Sequence, residues 1–433
     1  MIKSKIFTAF KNSLVNLSIK VLFFRIGGVI LFFGLSIFLT NFFDPVLVGK
    51  YDFTRSSLLV LGGICLLGTN QAIIYYSGIL DAKNSFASLK GVYIKMVIII
   101  LSLSALFFVI INFVDPAHIN NFFKKEDAYS LILKIIVCIG AFSISMLNID
   151  TLRACKQTLF SELYRNLFRY LPFFILALTL VFIDKTQWLV EVYLLGFVIL
   201  AIVTSVQVFF ALKKTLKFRN EIAFSYRSIL SKSSPMALSA VAYFLMQSVD
   251  IILLGKFVDF DTVAYYAVAV KIATVSSLGL QSVNIAIAPK IAEIYNRTEM
   301  KRLKEVIRNS VRLIVLLSLP ALLVLGVFAS FFLNLFGSEY VIAKEALWIL
   351  LIGQLFNSLC GPIGIYMNMT GKQNKLHIIL LLGLLLNVVL NVLLIPKYGM
   401  LGAAFATAIS MLMWNAIAVI YTYKKDKILS FLS

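Results

Sequence analysis

Two opposite charges interrupt neighbouring apolar segments near the middle of the chain. Asp250 lies close to the end of segment 236–258, and Lys271 lies equally close to the start of segment 263–288. If these segments are antiparallel membrane helices, both charges lie at a similar depth, where each costs about 2.5 to 3.5 kcal/mol. Either the two residues form an ion pair that joins the helices, or they line a polar cavity for a charged ligand.

Most of the other charges within apolar segments are positive. The cations in these segments or at their ends are Arg25, Arg55, Lys95, Lys134, Arg169 and Lys271. Lys95, Lys134 and Arg169 lie where long side chains reach the membrane surface. Arg25 and Lys271 are less easily explained in this way, and cations in a membrane interior attract anionic groups such as diphosphate, which arginine binds through two hydrogen bonds. The same cations would repel cationic drugs.

Uncharged polar residues also occur within the apolar segments. Amides at these positions either line a polar cavity, where they could bind hydroxyl-rich sugars, or form hydrogen bonds between helices. Asn387 and Asn391 lie four residues apart on one helix face, which favours the second role. The predicted substrate-binding residues are Arg25, Arg55, Lys271 and Asp250, with Gln247, Asn284 and Asn357 as possible polar lining.

Motifs of catalytic and nucleotide-binding sites are missing from the sequence. The chain has no GxSxG, GxxxxGK or HExxH motif, and its two histidines and four cysteines have no metal-ligand or disulfide spacing. We therefore expect no enzyme activity, no metal site, no cofactor and no ATP-driven transport by this chain alone. No sequence motif shows whether transport is coupled to Na⁺ or H⁺, so the coupling ion is left open.

The composition is that of a multi-pass membrane protein. Hydrophobic residues make up 61% of the 433 residues and charged residues only 14%, whereas soluble proteins carry about 25% charged residues. A spanning helix needs about 20 apolar residues. The twelve predicted spans are residues 21–41, 58–77, 91–114, 131–150, 167–183, 188–212, 236–258, 263–288, 313–335, 346–369, 376–395 and 401–423. Gly361-Pro362 predicts a break within the tenth of these spans.

The formal net charge of +20 is explained by where the positive residues lie along the chain. Most lysines and arginines lie in alternate predicted loops, on the side that also holds both termini. The positive-inside rule therefore places both termini in the cytoplasm, and no nucleic-acid partner is needed to explain the basic balance.

A weak internal repeat divides the chain into two halves. A shift of 215 residues superposes Ile37, Asp44 and Tyr51 on Ile252, Asp259 and Tyr266. Because six predicted spans precede the repeat, both halves have the same orientation and would be related by an axis along the membrane normal. We therefore expect an all-α membrane fold of two six-helix lobes, residues 1–220 and 221–433.

Several short segments resemble one membrane-protein superfamily. They are DPVLVGKY at 44–51, GKF at 255–257, TVAYY at 262–266, AIAPKI at 286–291 and LLNVVLNVLLIPKYGMLGAAFAT at 385–407. These segments resemble polysaccharide transporters of the MATE-like MOP (multidrug, oligosaccharidyl-lipid, polysaccharide) exporter superfamily. The resemblance extends over most of the chain.

This resemblance implies a specific transport function. It implies a flippase in a bacterial plasma (inner) membrane that moves undecaprenyl-diphosphate-linked oligosaccharide units for O-antigen or capsule synthesis. It also implies alternating access, with Arg25, Arg55 and Lys271 at cavity positions that are cationic in the related lipid II flippases, although lysine at 271 departs from the usual arginine. Membrane lipid, a polysaccharide polymerase and chain-length proteins are the implied partners.

Three alternative functions stay open. A cation-coupled multidrug antiporter would fit the superfamily, but such antiporters often use an acidic residue in the first lobe, and the first predicted span has none. A lipid II-type flippase usually has two additional C-terminal spans. A scaffold for a glycan assembly complex would not transport substrate, so it would not need Arg25 or Lys271 for its function.

Overall fold

The computed structural model describes residues 2–83, 85–213, 222–428 and 430–431 and is built from helices. Apolar runs of this length become helical because a membrane offers the backbone no water, so N–H and C=O groups must pair within the segment. No strand occurs among the described residues. This confirms the predicted all-α membrane fold.

Two compact units divide the chain. Unit 1 contains Met1–Phe43 and Ser57–Phe244, and unit 2 contains Asp44–Ser56 and Leu245–Ser433. The second helix and the tenth helix therefore each contribute residues to both units. The predicted lobes 1–220 and 221–433 stay a prediction.

Unit 1 is organised around one long helix. The helices up to the middle of the chain are α1 (Ile2–Phe42), α2 (Pro45–Leu66), α3 (Thr69–Ala82), α4 (Leu89–Phe113), α5 (Pro116–Phe123), α6 (Ala128–Ala154), α7 (Thr158–Leu163), α8 (Leu171–Phe182) and α9 (Leu189–Lys213). α6 packs against α3, α4 and α9. Its residues Ile135, Ile139 and Phe142 recur at helical spacing and are buried. A π-helical segment, Tyr164–Phe168, separates α7 from α8.

Unit 2 is organised around α15. The remaining helices are α10 (Tyr226–Phe257), α11 (Phe260–Val275), α12 (Leu278–Asn296), α13 (Met300–Val327), α14 (Ala329–Asn334), α15 (Lys344–Cys360), α16 (Ile363–Met369) and α17 (Gln373–Asp426). α15 packs against α11, α13 and α17. A Cβ at Gly353 would lie only 3.2 Å from the Ala408 Cα, so small residues bring α15 and α17 close together.

The number of membrane spans differs from the predicted twelve. Among the described residues, eight helices are long and apolar enough to cross a membrane, or up to ten if each of two bent pairs forms one span. Part of the difference arises in α17, which contains both predicted spans 376–395 and 401–423. Gly399 inside it has a non-helical conformation (φ 54°, ψ −131°). A Cβ at Gly402 would lie 2.4 Å from the Leu394 carbonyl oxygen, so the chain folds back at this point. Twelve spans stay a prediction.

The predicted break at Gly361-Pro362 is confirmed. α15 ends at Cys360, and α16 begins at Ile363. Gly361 has a φ of +63°, which L-residues with a side chain rarely adopt. Proline at the next position removes a backbone donor, so the helix cannot continue through this dipeptide.

Close backbone contacts hold the first turns of α2 within unit 2. A Cβ on Gly49 would lie 1.6 Å from the carbonyl oxygen of Phe260, at the start of α11. A Cβ on Gly255 would meet the Phe53 ring at 2.4 Å, and the Phe53 and Phe260 ring centroids are 5.7 Å apart. Glycine at these positions therefore lets α2 approach α10 and α11.

Gly49→Ala tests this contact. We expect the variant to lower the free energy of unfolding by about 1–3 kcal/mol, because the added methyl group overlaps a backbone carbonyl that cannot rotate away. Thermal unfolding of the purified protein in detergent would measure the change. Gly78→Ala is the matched control: no atom lies within 4 Å of the added Cβ, so it should stabilise its helix by about 0.5–1 kcal/mol. Equal midpoints for both variants would contradict the close contact.

Candidate functional site

A buried carboxylate in unit 2 binds two of the predicted site residues. Asp52, on α2, is fully buried. Its Oδ2 atom accepts a hydrogen bond from the Lys271 Nζ atom at 3.0 Å, and its Oδ1 atom accepts one from the Arg55 Nε atom at 3.2 Å. Lys271 is only 4% exposed. We call Asp52, Arg55 and Lys271 the Asp52 cluster; it holds two cations for one carboxylate.

Local helix geometry and the α2–α11 contact assemble this cluster. Asp52 and Arg55 are three residues apart on α2, so their side chains share one helix face. Lys271 comes from α11, which the Gly49 contact brings next to α2. The Lys271 Nζ atom also lies 5.9 Å from the centroid of the Tyr51 ring. A charge buried this deeply needs a partner, because its desolvation is otherwise uncompensated.

Asp250 has different partners from those that the sequence suggested. Its Oδ2 atom accepts a hydrogen bond from the Tyr266 hydroxyl at 2.8 Å and one from the Thr407 hydroxyl at 3.4 Å. Tyr266 and Lys271 are five residues apart on α11, about 140° around the helix, so they point in different directions. The interpretation of an Asp250–Lys271 pair is therefore wrong: Lys271 pairs with Asp52.

A chain of amides extends from the Asp250 carboxylate. The Asn387 Nδ2 atom lies 3.5 Å from the Thr407 hydroxyl, and the Asn391 Nδ2 atom donates to the Asn387 Oδ1 atom at 3.0 Å. The buried Asn391 Oδ1 atom accepts no hydrogen bond within the part of the chain that the structure describes. We call Asp250, Tyr266, Thr407, Asn387 and Asn391 the Asp250 cluster. It is rich in oxygen atoms and carries one carboxylate.

The predicted polar lining is spread over three helices. Gln247 lies exposed on α10, and Asn284 lies half-buried on α12. The Asn284 Oδ1 atom is buried and has no hydrogen-bond donor among the described residues. Asn357, on α15, accepts a hydrogen bond from the Asn415 Nδ2 atom of α17 at 3.2 Å. This is the hydrogen bonding between helices that the sequence analysis gave as one of two roles for such amides. A role for the three lining residues in substrate binding stays a prediction.

Arg25 belongs to a second cluster, in unit 1. Its Nε and Nη2 atoms donate to the two carboxylate oxygens of Glu162 at 2.9 and 3.1 Å. Glu162 is 1% exposed and also accepts hydrogen bonds from Arg153 and, at 3.1 Å, from the Asn166 Nδ2 atom. We call Arg25, Arg153 and Glu162 the Glu162 cluster. It too holds two cations for one carboxylate, and the Arg25 side chain remains 46% exposed.

The chain between α6 and α8 positions the Glu162 cluster. A Cβ on Gly28 would lie 2.6 Å from the Asn166 carbonyl oxygen, so α1 lies directly against the π-helical segment. Arg165, in the same segment, forms an ion pair with Asp150, which also accepts a hydrogen bond from the Asn70 Nδ2 atom at 3.3 Å. π-Helical turns often occur at functional sites.

Sequence reasoning missed both central carboxylates. Asp52 lies three residues before Arg55 within the second helix, and this spacing is the signal that could have identified it. No sequence spacing indicates that Glu162 pairs with Arg25, because the two residues are far apart in the sequence.

Solved structures with the same fold include transporters and a flippase. An inward-facing multidrug resistance MATE family transporter of the MOP superfamily has a TM-score of 0.73 at 14% identity, covering 93% of this chain and 95% of that one. The lipid II flippase MurJ in an inward closed conformation has a TM-score of 0.71 at 16% identity, covering 95% and 89%. The fold is therefore that of a MATE-like multi-pass membrane protein.

The sequence comparisons agree with the fold. Residues 235–393 match the MatE family model. A probable low-salt glycan biosynthesis flippase, Agl15 of Haloferax volcanii, is 29% identical over 185 residues, which are 42% of this chain and 39% of that protein. The capsular polysaccharide biosynthesis protein CapF of Staphylococcus aureus is 26% identical over 48% of this chain and 53% of its own length. The chain thus matches about half or less of these two relatives.

These findings confirm the resemblance to the MOP exporter superfamily that the sequence predicted. The Haloferax volcanii relative is named as a probable flippase, and the two solved structures are named as a transporter and a flippase, not as enzymes.

Asp52→Asn tests the structural importance of the Asp52 cluster. We expect a loss of about 3–5 kcal/mol of stability, because Lys271 is left charged and buried without its carboxylate. The double variant Asp52→Asn/Lys271→Met should recover part of the loss, since the buried charge is removed together with its partner. Thermal unfolding in detergent would measure both.

The control for this experiment is Asp81→Asn. Asp81 pairs with Lys156 at an exposed position, and such pairs contribute about 0–1 kcal/mol. A double variant that is less stable than Asp52→Asn alone would contradict the assigned pair.

Proposed function

We propose that this protein is a flippase that moves undecaprenyl-diphosphate-linked oligosaccharide units across the plasma membrane by alternating access, for surface polysaccharide synthesis. The observation that carries the proposal is the charge of the two cation clusters. Asp52 and Glu162 each pair with two cations, so each cluster brings two cations together around one carboxylate. An excess positive charge in a membrane protein favours an anionic substrate.

A diphosphate headgroup fits these clusters chemically. Arginine binds phosphate oxygens through two parallel hydrogen bonds, while lysine contributes a compact charge. Each cluster offers two cations that already converge on one small anion, the carboxylate. The polyprenyl tail would stay in lipid while the headgroup moves. An inside-negative membrane potential would favour outward movement by about 2.3 kcal/mol per negative charge for each 100 mV.

The names of the relatives support a lipid-linked glycan substrate. The Haloferax volcanii relative is called a probable glycan biosynthesis flippase, and the Staphylococcus aureus relative a capsular polysaccharide biosynthesis protein. We propose the O-antigen or capsule type of substrate, a bacterial plasma membrane location with cytoplasmic termini, and a polymerase and chain-length proteins as partners. A lipid II-type substrate is the second candidate, because its headgroup has the same diphosphate.

Arg25→Ala and Lys271→Ala test the proposed function. In cells whose surface polysaccharide depends on this protein, we expect each variant to reduce surface glycan about tenfold or more, the effect of losing at least about 1.4 kcal/mol of substrate binding. Labelling of surface glycan would give the result, normalised to the amount of protein in the membrane.

The matched controls are Arg297→Ala and Lys156→Ala, which remove cations of exposed ion pairs and should leave the glycan unchanged. Intact glycan in stably expressed Arg25→Ala and Lys271→Ala variants would instead favour a scaffold. Altered resistance to cationic drugs without a change in glycan would favour a multidrug antiporter.

We further propose that the Asp250 cluster binds the coupling cation, Na⁺ or a proton. Asp250 is buried; its Oδ2 atom accepts hydrogen bonds from the hydroxyl groups of Tyr266 and Thr407, and its Oδ1 atom accepts one from the Ile251 backbone N–H at 2.9 Å. The Asn391 Oδ1 atom of the same cluster is buried without a donor among the described residues. Carboxylate, hydroxyl and amide oxygens are the ligands that hard cations prefer.

Asp250→Asn tests the coupling proposal. Translocation by the wild-type protein in reconstituted vesicles should increase when an imposed Na⁺ gradient or pH gradient drives it, and the two gradients distinguish the two cations. The variant should lose this increase, because the amide has no charge to attract a cation. Asp115→Asn, at an exposed helix start, is the control. The same gradient response in Asp250→Asn and in the wild type would exclude this cluster as the coupling site.

A further inference from the structure

In both units the cations predicted to bind substrate already hold an internal anion. Asp52 is 0% exposed and Glu162 is 1% exposed, so neither carboxylate is solvated by bulk water. Each Asp52 oxygen accepts a hydrogen bond from a different cation, Lys271 or Arg55. Both Glu162 oxygens accept hydrogen bonds from Arg25, and one of them also accepts from Arg153. The two carboxylates therefore occupy the positions that an anionic ligand would take.

An internal carboxylate competes strongly with any external anion. Because it is tethered to the same folded unit, it meets its cations at a high effective concentration. A sugar-linked diphosphate carries one negative charge on each phosphate, so it can pair with Arg25 and Arg153 at once, whereas the Glu162 carboxylate carries a single negative charge. The diphosphate therefore gains more from the cations than the carboxylate does, but the displaced carboxylate is left without its counter-charges. Its return to the cations relieves this cost and helps to expel the diphosphate.

We infer that Asp52 and Glu162 are exchangeable counter-ions, which the substrate diphosphate displaces on binding and which promote its release by pairing again with the cations. This inference rests on the proposed function, since it assigns a regulatory role at the same cation clusters. Both carboxylates are positioning residues: they act on the substrate through Arg25, Arg55 and Lys271.

A structural role and a counter-ion role give different results when the carboxylate is removed. If Glu162 only held α1 against the π-helical segment, its loss would weaken substrate binding and transport together. If Glu162 competes with the substrate, its loss strengthens binding and slows release. The distinguishing result is therefore tighter binding combined with lower transport.

Glu162→Gln in the full-length protein is the first test. We expect the affinity for undecaprenyl diphosphate in detergent to rise about tenfold, which corresponds to about 1.4 kcal/mol, while glycan translocation in cells falls. Glu162→Asp keeps the negative charge, so its affinity for undecaprenyl diphosphate and its glycan translocation should both return towards the wild-type values. Arg25 and Arg153 are partly exposed, whereas Lys271 is almost completely buried, so Glu162→Gln should disturb the fold less than Asp52→Asn.

Asp52→Asn is the corresponding test in unit 2. We again expect a higher affinity for undecaprenyl diphosphate and lower glycan translocation. Lys271 is almost completely buried there, so thermal unfolding must be measured in parallel. If this variant does not fold, Glu162→Gln decides the question alone. The controls Asp81→Asn and Glu293→Gln remove carboxylates from exposed ion pairs and should leave the affinity unchanged.

The outcomes separate this inference from the proposed function. If the wild-type protein does not bind undecaprenyl diphosphate, the proposed function fails. If the wild-type protein binds it but no folded variant of the two, Glu162→Gln and Asp52→Asn, binds it more tightly, the counter-ion role is overturned while the flippase function stands. Tighter binding with lower translocation in either folded variant supports the inference.

Discussion

The dominant constraint on this protein is that a charge in an apolar interior must have a partner. The Lys271 ammonium and the Asp52 carboxylate are both almost completely buried, and either one alone would lose its hydration without compensation. Their ion pair needs α2 to approach α11 closely, and Gly49 provides the space for this contact. The position of the first turns of α2 within unit 2 therefore depends on this ion pair together with the close packing at Gly49 and Gly255.

The same constraint explains why the cation clusters have their particular composition. A single carboxylate between two cations provides enough hydrogen bonds to hold both side chains in place, and it gathers both positive charges at one point. Unit 1 reaches this arrangement with Glu162, Arg25 and Arg153, and unit 2 with Asp52, Arg55 and Lys271. The two clusters share no residue and use different helices, so the arrangement reflects charge balance rather than a common motif.

In unit 2, the residues proposed to bind an anion and those proposed to bind a cation lie on different sides of α11. Lys271 and Tyr266 point to different sides of α11, so the Asp52 cluster presents positive charge while the Asp250 cluster presents oxygen atoms. Because an anion and a coupling cation would bind to different faces of α11, each could influence the other through the same helix. This arrangement gives the proposed coupling a structural basis within one unit.

The sequence by itself determined the membrane class, the helical fold, the break at Gly361-Pro362 and the presence of cations within apolar segments, because these depend on local composition and backbone chemistry. Only the tertiary structure decided which carboxylate neutralises each cation. Asp250 and Lys271 looked like partners because their depths agreed, but depth along a helix does not specify rotation about its axis. Glu162 meets Arg25 only because α1 lies against the π-helical segment, and such long-range contacts leave no local pattern in the sequence.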